Sequence, residues 1–542
     1  MAHSSSIFSK VPIELPNRSG FDMSHENLGT MTTGTLVPVL VDELLPNDSV
    51  SLGSVFQVQL PPMATDFFGR VDFVLEAFFV PARLCWGGWQ SFMTHPTANP
   101  QYPDGTPVQG MSKYLPLIRI TSDIADGSLS DYLGFKGVGV GARDIVDVNS
   151  LPYIAYHRIW DDWYRDSRIQ APLFYNPDRT VSGFDRMAPF MPFVSGGVDS
   201  ATILANDGLN FTDGKSLLDL RQRNWSKDYF TSASTLPQAG NASQLTFDVA
   251  TDDTGTFSIS ALRAANSLQK WMERNNIAGY RYSDQIYAQY GIYPSDAIMD
   301  RPLYLGRKTQ NVYTRSVFQT NRLVAGGSPA IQNNPFANVG AKFGSSQVIG
   351  EGSLVDDFRA SEHGFLFVLA SLVPHSYYST GVRRYLKRRT VGDYAFPLLS
   401  GMGDQAIMKS ELYAGSYGIT LAGADAQYDN DSVFGYTDLY AEYKYHDDEV
   451  HGLLRDGNSI DSFALQRGFA TAPELGSEFL QIPKDFLDQV MATSSVASGF
   501  SCWYDIYFPY KKVSTLPEYS LPTLADLKNV HKGEMSRGGK RL

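Results

Sequence analysis

Apolar and polar side chains alternate near both ends of this 542-residue chain, and this pattern constrains the fold more than any other feature. A period of two is that of a half-buried antiparallel strand. The alternation occupies four segments, residues 50–60, 71–79, 439–445 and 500–508. It predicts strands concentrated in residues 34–81 and again in residues 361–515, which we expect to share the same sheets.

The middle of the chain follows a different pattern. Residues 151–170 predict a helix with Pro152 near its first turn. Its large rings recur at helical spacing, at Tyr156, Trp160 and Trp163, and we expect both tryptophans to be buried. Residues 259–276 also predict a helix, and a shorter helix follows, capped by Ser283 and ended by Gly291. Long loops rich in Gly, Asn, Asp and Ser surround these helices, which indicates a large insertion between two groups of strands.

The composition favours a subunit of an assembly. Aromatic residues make up 13% of the chain and charged residues only 19%, while 47 Gly and 29 Pro are scattered along it. This is typical of many strands separated by turns. The centres of large protein interfaces are also depleted of charge. Since no linker divides the chain, we predict a single domain.

Nothing in the sequence indicates export or insertion into a membrane. Cys85 and Cys502 lie beside tryptophans in apolar surroundings, which favours buried free thiols over a disulfide or a metal site. The first ten residues lack the apolar core of a signal peptide, and the longest apolar run, residues 365–374, is too short to span a bilayer. We therefore expect a soluble protein kept in a reducing cytoplasm.

Basic residues cluster in two places, although the net charge of −12 argues against a general nucleic-acid binder. One cluster comprises Arg383, Arg384, Lys387, Arg388 and Arg389. The other lies in residues 511–542, which contain seven basic and three acidic side chains and so carry a net charge of +4. Its candidate phosphate contacts are Lys511, Lys512, Lys532, Arg537, Lys540 and Arg541. Nearby rings offer stacking surfaces for unpaired bases, at Tyr385, Tyr394, Tyr507 and Tyr510. For the first cluster, the alternative to DNA contact is a set of ion pairs between subunits or a solvated face.

Catalytic signatures are missing from the sequence. It contains no nucleophile elbow, no P-loop and no His-Glu-x-x-His motif. The best candidate metal cluster is His446 to His451, but its two histidines are five residues apart and share one face of neither a helix nor a strand. A solvated turn is the alternative interpretation. We predict no catalytic residues, no bound metal and no cofactor.

Several segments are distinctive in the order of their residue types, and together they span nearly the whole chain. They are Gly34–Asp48, Phe78–Leu84, Leu151–Gln170, Asp228–Ala233, Leu262–Tyr290, Arg301–Gly306, Ser361–Gly364, Phe434–Tyr436, Tyr440–Tyr443 and Leu516–Pro522. In this order they resemble the major capsid protein of microviruses, small tailless phages with circular single-stranded DNA. The likeness is greatest to the gokushovirus-like branch of that family.

The resemblance implies a mainly β fold, an eight-stranded antiparallel jelly roll with large helical and loop insertions. The single capsid domain would extend over residues 1–542. Its parts would be an N-terminal arm (1–33), the first barrel strands (34–81), inserted helices and long loops (82–360), the remaining barrel strands (361–515) and a basic C-terminal tail (516–542).

The resemblance also implies a structural function in the virion. About sixty copies would assemble into a T=1 icosahedral shell in the host bacterial cytoplasm. The shell would enclose a single-stranded DNA genome, bound without sequence preference, and minor virion proteins and a host receptor would be further partners.

Two other classes of function remain open at this stage. One is an all-β carbohydrate-active enzyme with Asp252–Asp253 or Asp356–Asp357 as acid and base, which requires the carboxylates to lie in a cleft. The other is a receptor-binding spike or lectin-like module, which would bind a glycan without enclosing DNA.

Overall fold

Two antiparallel β-sheets packed face to face form the centre of the chain in the computed structural model. The fold is mainly β, as the sequence predicts. The structure describes residues 18–63, 67–86, 89–94, 115, 117–120, 124–135, 146–173, 203–205, 215, 217–237, 263, 266–271, 274, 281–293, 295–318, 342–400, 403–416, 432–491 and 499–518.

Strands make up most of the regular structure in the described residues. In chain order they are β1 (Ser19–Asp22), β2 (His25–Met31), β3 (Val37–Leu44), β4 (Ser49–Gln59), β5 (Val71–Pro81), β6 (Leu117–Ile120), β7 (Val146–Asn149), β8 (Ile203–Ala205), β9 (Leu303–Asn311), β10 (Tyr313–Phe318), β11 (Lys342–Arg359), β12 (Gly364–Pro374), β13 (Asp404–Met408), β14 (Val433–Asp438), β15 (Cys502–Phe508) and β16 (Tyr510–Ser514).

The helices are short. They are α1 (Ala82–Cys85), α2 (Trp89–Thr94), α3 (Leu129–Tyr132), α4 (Leu151–Ile159), α5 (Tyr282–Tyr290) and α6 (Ser477–Leu480). Residues 263, 266–271 and 274 are also helical, within the helix predicted over residues 259–276. A π-helical turn, Trp160–Tyr164, follows α4 directly. Short 3-10 turns are frequent between residues 384 and 489. Among the described residues, no helix is long and apolar enough to cross a membrane.

The large sheet has the order β1–β16–β4–β11–β10, and β15 pairs with both β4 and β2. The small sheet has the order β3–β12–β5–β9. Pro509 separates β15 from β16, so that these two strands pair with opposite halves of the long strand β4. Proline lacks the N–H that a central strand position requires. Its carbonyl still accepts a hydrogen bond of 2.9 Å from the backbone N–H of Gly53.

Strands from the two ends of the chain share both sheets, as the alternation predicts. β4 pairs with β15 and β16 in the large sheet, and β12 lies between β3 and β5 in the small one. Strands β9, β10 and β11 also join these sheets, although they lie in the segment expected to hold inserted helices and loops. The described side chains of β9 are only exposed or half-buried, which explains why its sequence lacks a clear period of two.

Strand β5 is buried at every position, so the half-buried interpretation of residues 71–79 is wrong. Phe73 and Phe79 pack between the two sheets, as their alternation predicts. Phe78 and Val80 face the opposite way and pack in a second apolar cluster with α4. The small sheet is therefore covered on both faces. In β15 of the large sheet, by contrast, buried and exposed side chains alternate, so one face of this strand meets solvent.

Three local predictions need correction. The strand predicted over residues 439–445 does not form, because Tyr440 has a positive φ of 61° and a 3-10 turn, Ala441–Tyr443, follows β14. The helix predicted over residues 151–170 ends at Tyr164, after which the backbone is extended. Ser283 does not cap the short helix α5, because the helix begins at Tyr282 and the residue before it, Arg281, makes no capping hydrogen bond with its side chain. Gly291 ends this helix as predicted.

The burial of Trp160 and of the two cysteines is as predicted. Trp160 is buried beneath α4, and its indole N–H donates a hydrogen bond of 2.8 Å to the Gln222 carbonyl oxygen. The prediction that Trp163 is buried as well is wrong, because its side chain is only half-buried. Cys85 and Cys502 are buried free thiols. Burial raises the pKa of Cys85 to about 12 and that of Cys502 still further, so both thiols are chemically inert.

Candidate functional site

The first basic cluster lies outside the two sheets, on a 3-10 turn formed by Arg384–Lys387. The turn borders a cleft of about 210 Å³. We call this cleft and its walls the basic cleft. Its lining combines charged and aromatic side chains: Tyr229, Phe230, Arg383, Arg384, Tyr385, Arg388, Glu411, Glu442, Tyr443, Tyr445, His446 and Asp447.

Arg383 is held by the segment after β14. Its Nε donates to the Glu449 carboxylate, and its Nη2 lies 3.5 Å from the Asp447 carbonyl oxygen. Burial opposes ionisation of Glu449, but the hydrogen bond and charge of Arg383 outweigh this effect. The pKa of Glu449 therefore lies below its usual value, and the pair is ionised at neutral pH.

The Arg384 side chain donates hydrogen bonds to β13 and to the turn that follows it. Its Nη1 donates to the Ala406 carbonyl oxygen at 2.7 Å and to Oε1 of Glu411 at 3.3 Å. Burial raises the pKa of Glu411, and the charge of Arg384 opposes this rise. Lys387 donates from Nζ to the Ser410 hydroxyl at 2.5 Å.

Arg388 also has a carboxylate partner. Its Nη2 lies 3.1 Å from Oε1 of Glu442, and its guanidinium stands 4.5 Å from the ring centre of Tyr443. Arg389 differs from the others because its side chain is exposed, while its backbone N–H donates to Asp393 at 2.7 Å. Sequence reasoning missed the carboxylate partners of this cluster, since no local motif links them to it: Glu411, Glu442 and Glu449.

Asp447 has a carboxyl group with a strongly raised pKa. Burial raises its pKa to about 7, and the nearby charge of Asp228 adds to the rise, although Arg383 opposes it. Asp228 itself accepts hydrogen bonds from the Ser376 and Tyr378 hydroxyls at 2.8 and 2.7 Å.

The second basic set divides between the surface and the interior. Lys511 is exposed on β16, opposite Asp22 in the register with β1. Lys512 is buried and lies 3.0 Å from Oδ2 of Asp42. Lys532, Arg537, Lys540 and Arg541 lie outside the described residues. Of the rings expected to stack on bases, Tyr510 is buried instead, whereas three are exposed: Tyr385, Tyr394 and Tyr507.

The candidate metal cluster is a set of ion pairs and hydrogen bonds. His446 lies 3.5 Å from Arg383, and His451 lies between Glu449 at 3.1 Å and Arg455 at 3.3 Å. Within the described part of the chain, no group of His, Cys, Asp and Glu side chains is arranged to hold a metal ion.

The carboxylates proposed for an enzyme are not in a cleft where the structure describes them. Asp356 and Asp357 are exposed on an irregular stretch of β11, where the register with β4 shifts. Residues 252 and 253 lie outside the described residues.

Comparison with known proteins decides the class of function. A model of the capsid protein (F protein) family of phages matches residues 9–253 and 248–524, almost the whole chain. The chain belongs to this capsid protein family. The microvirus resemblance is confirmed by relatives named capsid protein VP1.

Three of these relatives align with the capsid protein from end to end. The VP1 of Chlamydia phage 1 is 26% identical, over 95% of this chain and 97% of its own. The VP1 of Bdellovibrio phage phiMH2K is 22% identical, over 96% and 98%. The VP1 of Spiroplasma virus 4 is 23% identical, over 94% and 95%. The capsid protein is thus a structural component of a virion and not an enzyme, and neither alternative class gains support.

Proposed function

We propose that about sixty copies of this capsid protein close into an icosahedral shell around a circular single-stranded DNA genome. The family match and the names of the relatives support assembly into a shell of many copies. The copy number and the genome are our proposal. We further propose that assembly takes place in the host bacterial cytoplasm and that minor virion proteins and a host receptor bind the finished particle.

The observation that carries this proposal is an exposed apolar lobe, residues 384–399. Its three 3-10 turns bury no residue. Val391 and Leu398 are 75% and 94% exposed, and further large apolar side chains of the lobe are exposed beside them: Tyr385, Leu386, Tyr394 and Phe396. Soluble monomers seldom expose so many large apolar side chains in one short segment, so a neighbouring subunit is their natural cover.

We propose that the shell is built from an eight-stranded jelly roll. The small sheet, β3–β12–β5–β9, would be one layer, and β15, β4, β11 and β10 of the large sheet would be the other. Strands β1, β2 and β16 would extend the second layer. Support comes from the common apolar core, which lies between the two sheets and includes Phe56 and Phe73 at a ring distance of 5.1 Å.

We propose that the genome is contacted mainly by the exposed cations. Lys511 and Arg389 are exposed, and four further cations lie in the C-terminal tail: Lys532, Arg537, Lys540 and Arg541. Contact through Arg383, Arg384, Lys387, Arg388 or Lys512 would compete with the carboxylate or hydroxyl partners that these side chains already have.

The salt dependence of DNA binding tests this division. Each phosphate contact with single-stranded DNA contributes about −0.7 to the slope of log K against log salt. Replacing the four tail cations by Ala should flatten the slope by up to roughly 3, and the pair Arg389→Ala and Lys511→Ala by roughly 1.4. Lys270→Ala removes an exposed cation outside both clusters and is the matched control.

Particle size and protease access complete the test. Electron microscopy should show closed shells of about sixty copies. In DNA-filled particles the last ten residues should resist limited proteolysis. Their rapid release from intact particles would place the tail outside and exclude it from genome binding.

A further inference from the structure

Residues 282–293 and 295–298 form a second exposed surface, separate in sequence from the basic cleft. Helix α5 begins this segment and buries no residue. Six large side chains are exposed there and define what we call the tyrosine platform: Tyr282, Tyr287, Tyr290, Ile292, Tyr293 and Ile298. A helix of this length is marginal in water unless its side chains pack against another surface.

The platform is held firmly at both ends. Before α5, Arg281 donates from Nη2 to the carbonyl oxygens of Asp161 at 2.6 Å and Arg165 at 3.0 Å. After the platform, the Arg301 guanidinium stands 4.1 Å from the ring centre of Trp163. Both arginines thus attach the segment to the end of the α4 region. A surface fixed in this way loses little conformational entropy when it binds.

A tight turn also orders the middle of the platform. Gly291 has a φ of +69°, and its N–H donates to the Tyr287 carbonyl oxygen at 2.8 Å. The chain turns back on the helix, and the rings of Tyr287 and Tyr293 stack at 4.0 Å. A side chain at residue 291 would strain this left-handed conformation.

The size of the platform matches that of a specific protein contact. Its six side chains are between 45% and 78% exposed. With about 200 Å² for each fully exposed side chain of this size, they offer roughly 800 Å². This equals one partner's share of a standard protein interface.

The charge of the platform argues against the genome as its occupant. Residues 282–298 contain Asp284 and Asp296 but no Lys, Arg or His. Of the two flanking arginines, Arg301 pairs with Asp296 at 3.3 Å, and Arg281 donates to backbone carbonyl oxygens. Phosphates would therefore meet carboxylates and cations that already have partners. Tyrosine-rich surfaces with few charges are typical of the centres of protein interfaces.

We propose that the tyrosine platform is a contact between neighbouring subunits and that its occupant is a second copy of this chain. This inference rests on the self-assembly in the proposed function but not on the DNA contacts. In a shell of identical subunits, every platform meets the same surface of a neighbour, so that one patch of roughly 800 Å² is buried once for each copy.

Photocrosslinking identifies the occupant. Benzoylphenylalanine in place of Tyr290 should give a band at twice the subunit mass in assembled particles and none in dissociated subunits. A crosslink only to DNA, a crosslink only to another protein, or no crosslink in intact particles would overturn the proposal.

Charge substitution tests the contact independently. The double variant Tyr290→Asp and Ile298→Asp should lower the yield of particles at least tenfold, whereas Tyr290→Phe with Ile298→Leu should assemble normally. Neither residue is buried, so thermal unfolding of the unassembled subunit should be unchanged. A normal yield of particles from the Asp variant would contradict the inference. Shells of another size, or an unchanged salt slope for the basic variants, would contradict the proposed function and leave the crosslink result intact.

Discussion

Lys512 and Asp42 form an ion pair that joins the two sheets, with Lys512 Nζ 3.0 Å from Asp42 Oδ2. Lys512 belongs to β16 of the large sheet, and Asp42 belongs to β3 of the small sheet. Nζ also donates to the Glu43 carbonyl oxygen at 2.7 Å and lies 3.6 Å from the buried carboxylate of Asp48.

Removing this cation should destabilise the subunit. Lys512→Met would leave Asp42 and Asp48 without their positive partner, and breaking such a buried pair costs about 3 kcal/mol of unfolding free energy. Lys511→Met, one residue away and exposed, should change it by less than about 0.5 kcal/mol. Urea unfolding of the unassembled subunits measures both. Equal stability of the two variants would show that the ion pair contributes nothing.

Trp160 should be essential for the packing of α4 on the small sheet. It is buried, it donates a hydrogen bond to Gln222, and the Arg221 guanidinium stands 5.2 Å from its ring centre. Trp160→Ala should therefore lower the free energy of unfolding by about 3–5 kcal/mol and prevent formation of particles.

Trp503 is the matched control for this substitution. It lies on the exposed face of β15, with its indole N–H 3.1 Å from Gln59 Oε1. Trp503→Ala should cost about 1 kcal/mol or less. Normal particle yields from Trp160→Ala would contradict the core role of this ring.

Asp447 should make the stability of the basic cleft depend on pH. Its pKa is raised to about 7 in the folded protein, chiefly by burial, above the ordinary value of 3.8. The folded state therefore binds its proton more tightly than the unfolded state does. This contribution to stability is complete below pH 3.8 and is lost as the pH rises through 7.

The variant Asp447→Asn removes this dependence. Relative to the unsubstituted chain, it should gain stability between about pH 4 and about pH 8, because only the carboxyl group becomes charged. Thermal unfolding of both proteins across this range measures the difference. A difference that stays constant with pH would exclude Asp447 as the titrating group.

Arg388 and Arg389 should behave differently although they are adjacent. Arg388→Ala removes the ion pair with Glu442 and the contact with the Tyr443 ring, which should cost about 2 kcal/mol of unfolding free energy. Arg389→Ala should cost less than about 0.5 kcal/mol, because this side chain is exposed. Denaturant unfolding of the two variants side by side checks this, and the reverse order of stabilities would refute the assignment.

Local patterns in the sequence were sufficient to predict several strands. In β4 and β15 one face is buried and the other meets solvent, so the alternation of residue types reports directly on structure. The same reasoning misjudged β5, because a helix covers the face that would otherwise be exposed. It also predicted a strand over residues 439–445, where the left-handed backbone of Tyr440 begins a turn.

The sequence by itself determined the family, the mainly β class and the pairing of strands from both ends of the chain. These properties depend on the order of residue types and on a period of two, which the chain carries locally. Only the tertiary structure decided which cations are held in ion pairs within the subunit. Arg383 meets Glu449 across 66 residues of sequence, and Lys512 meets Asp42 across 470. The interaction of a charged pair depends on distance in space and on burial, and neither can be read from positions so far apart in the chain.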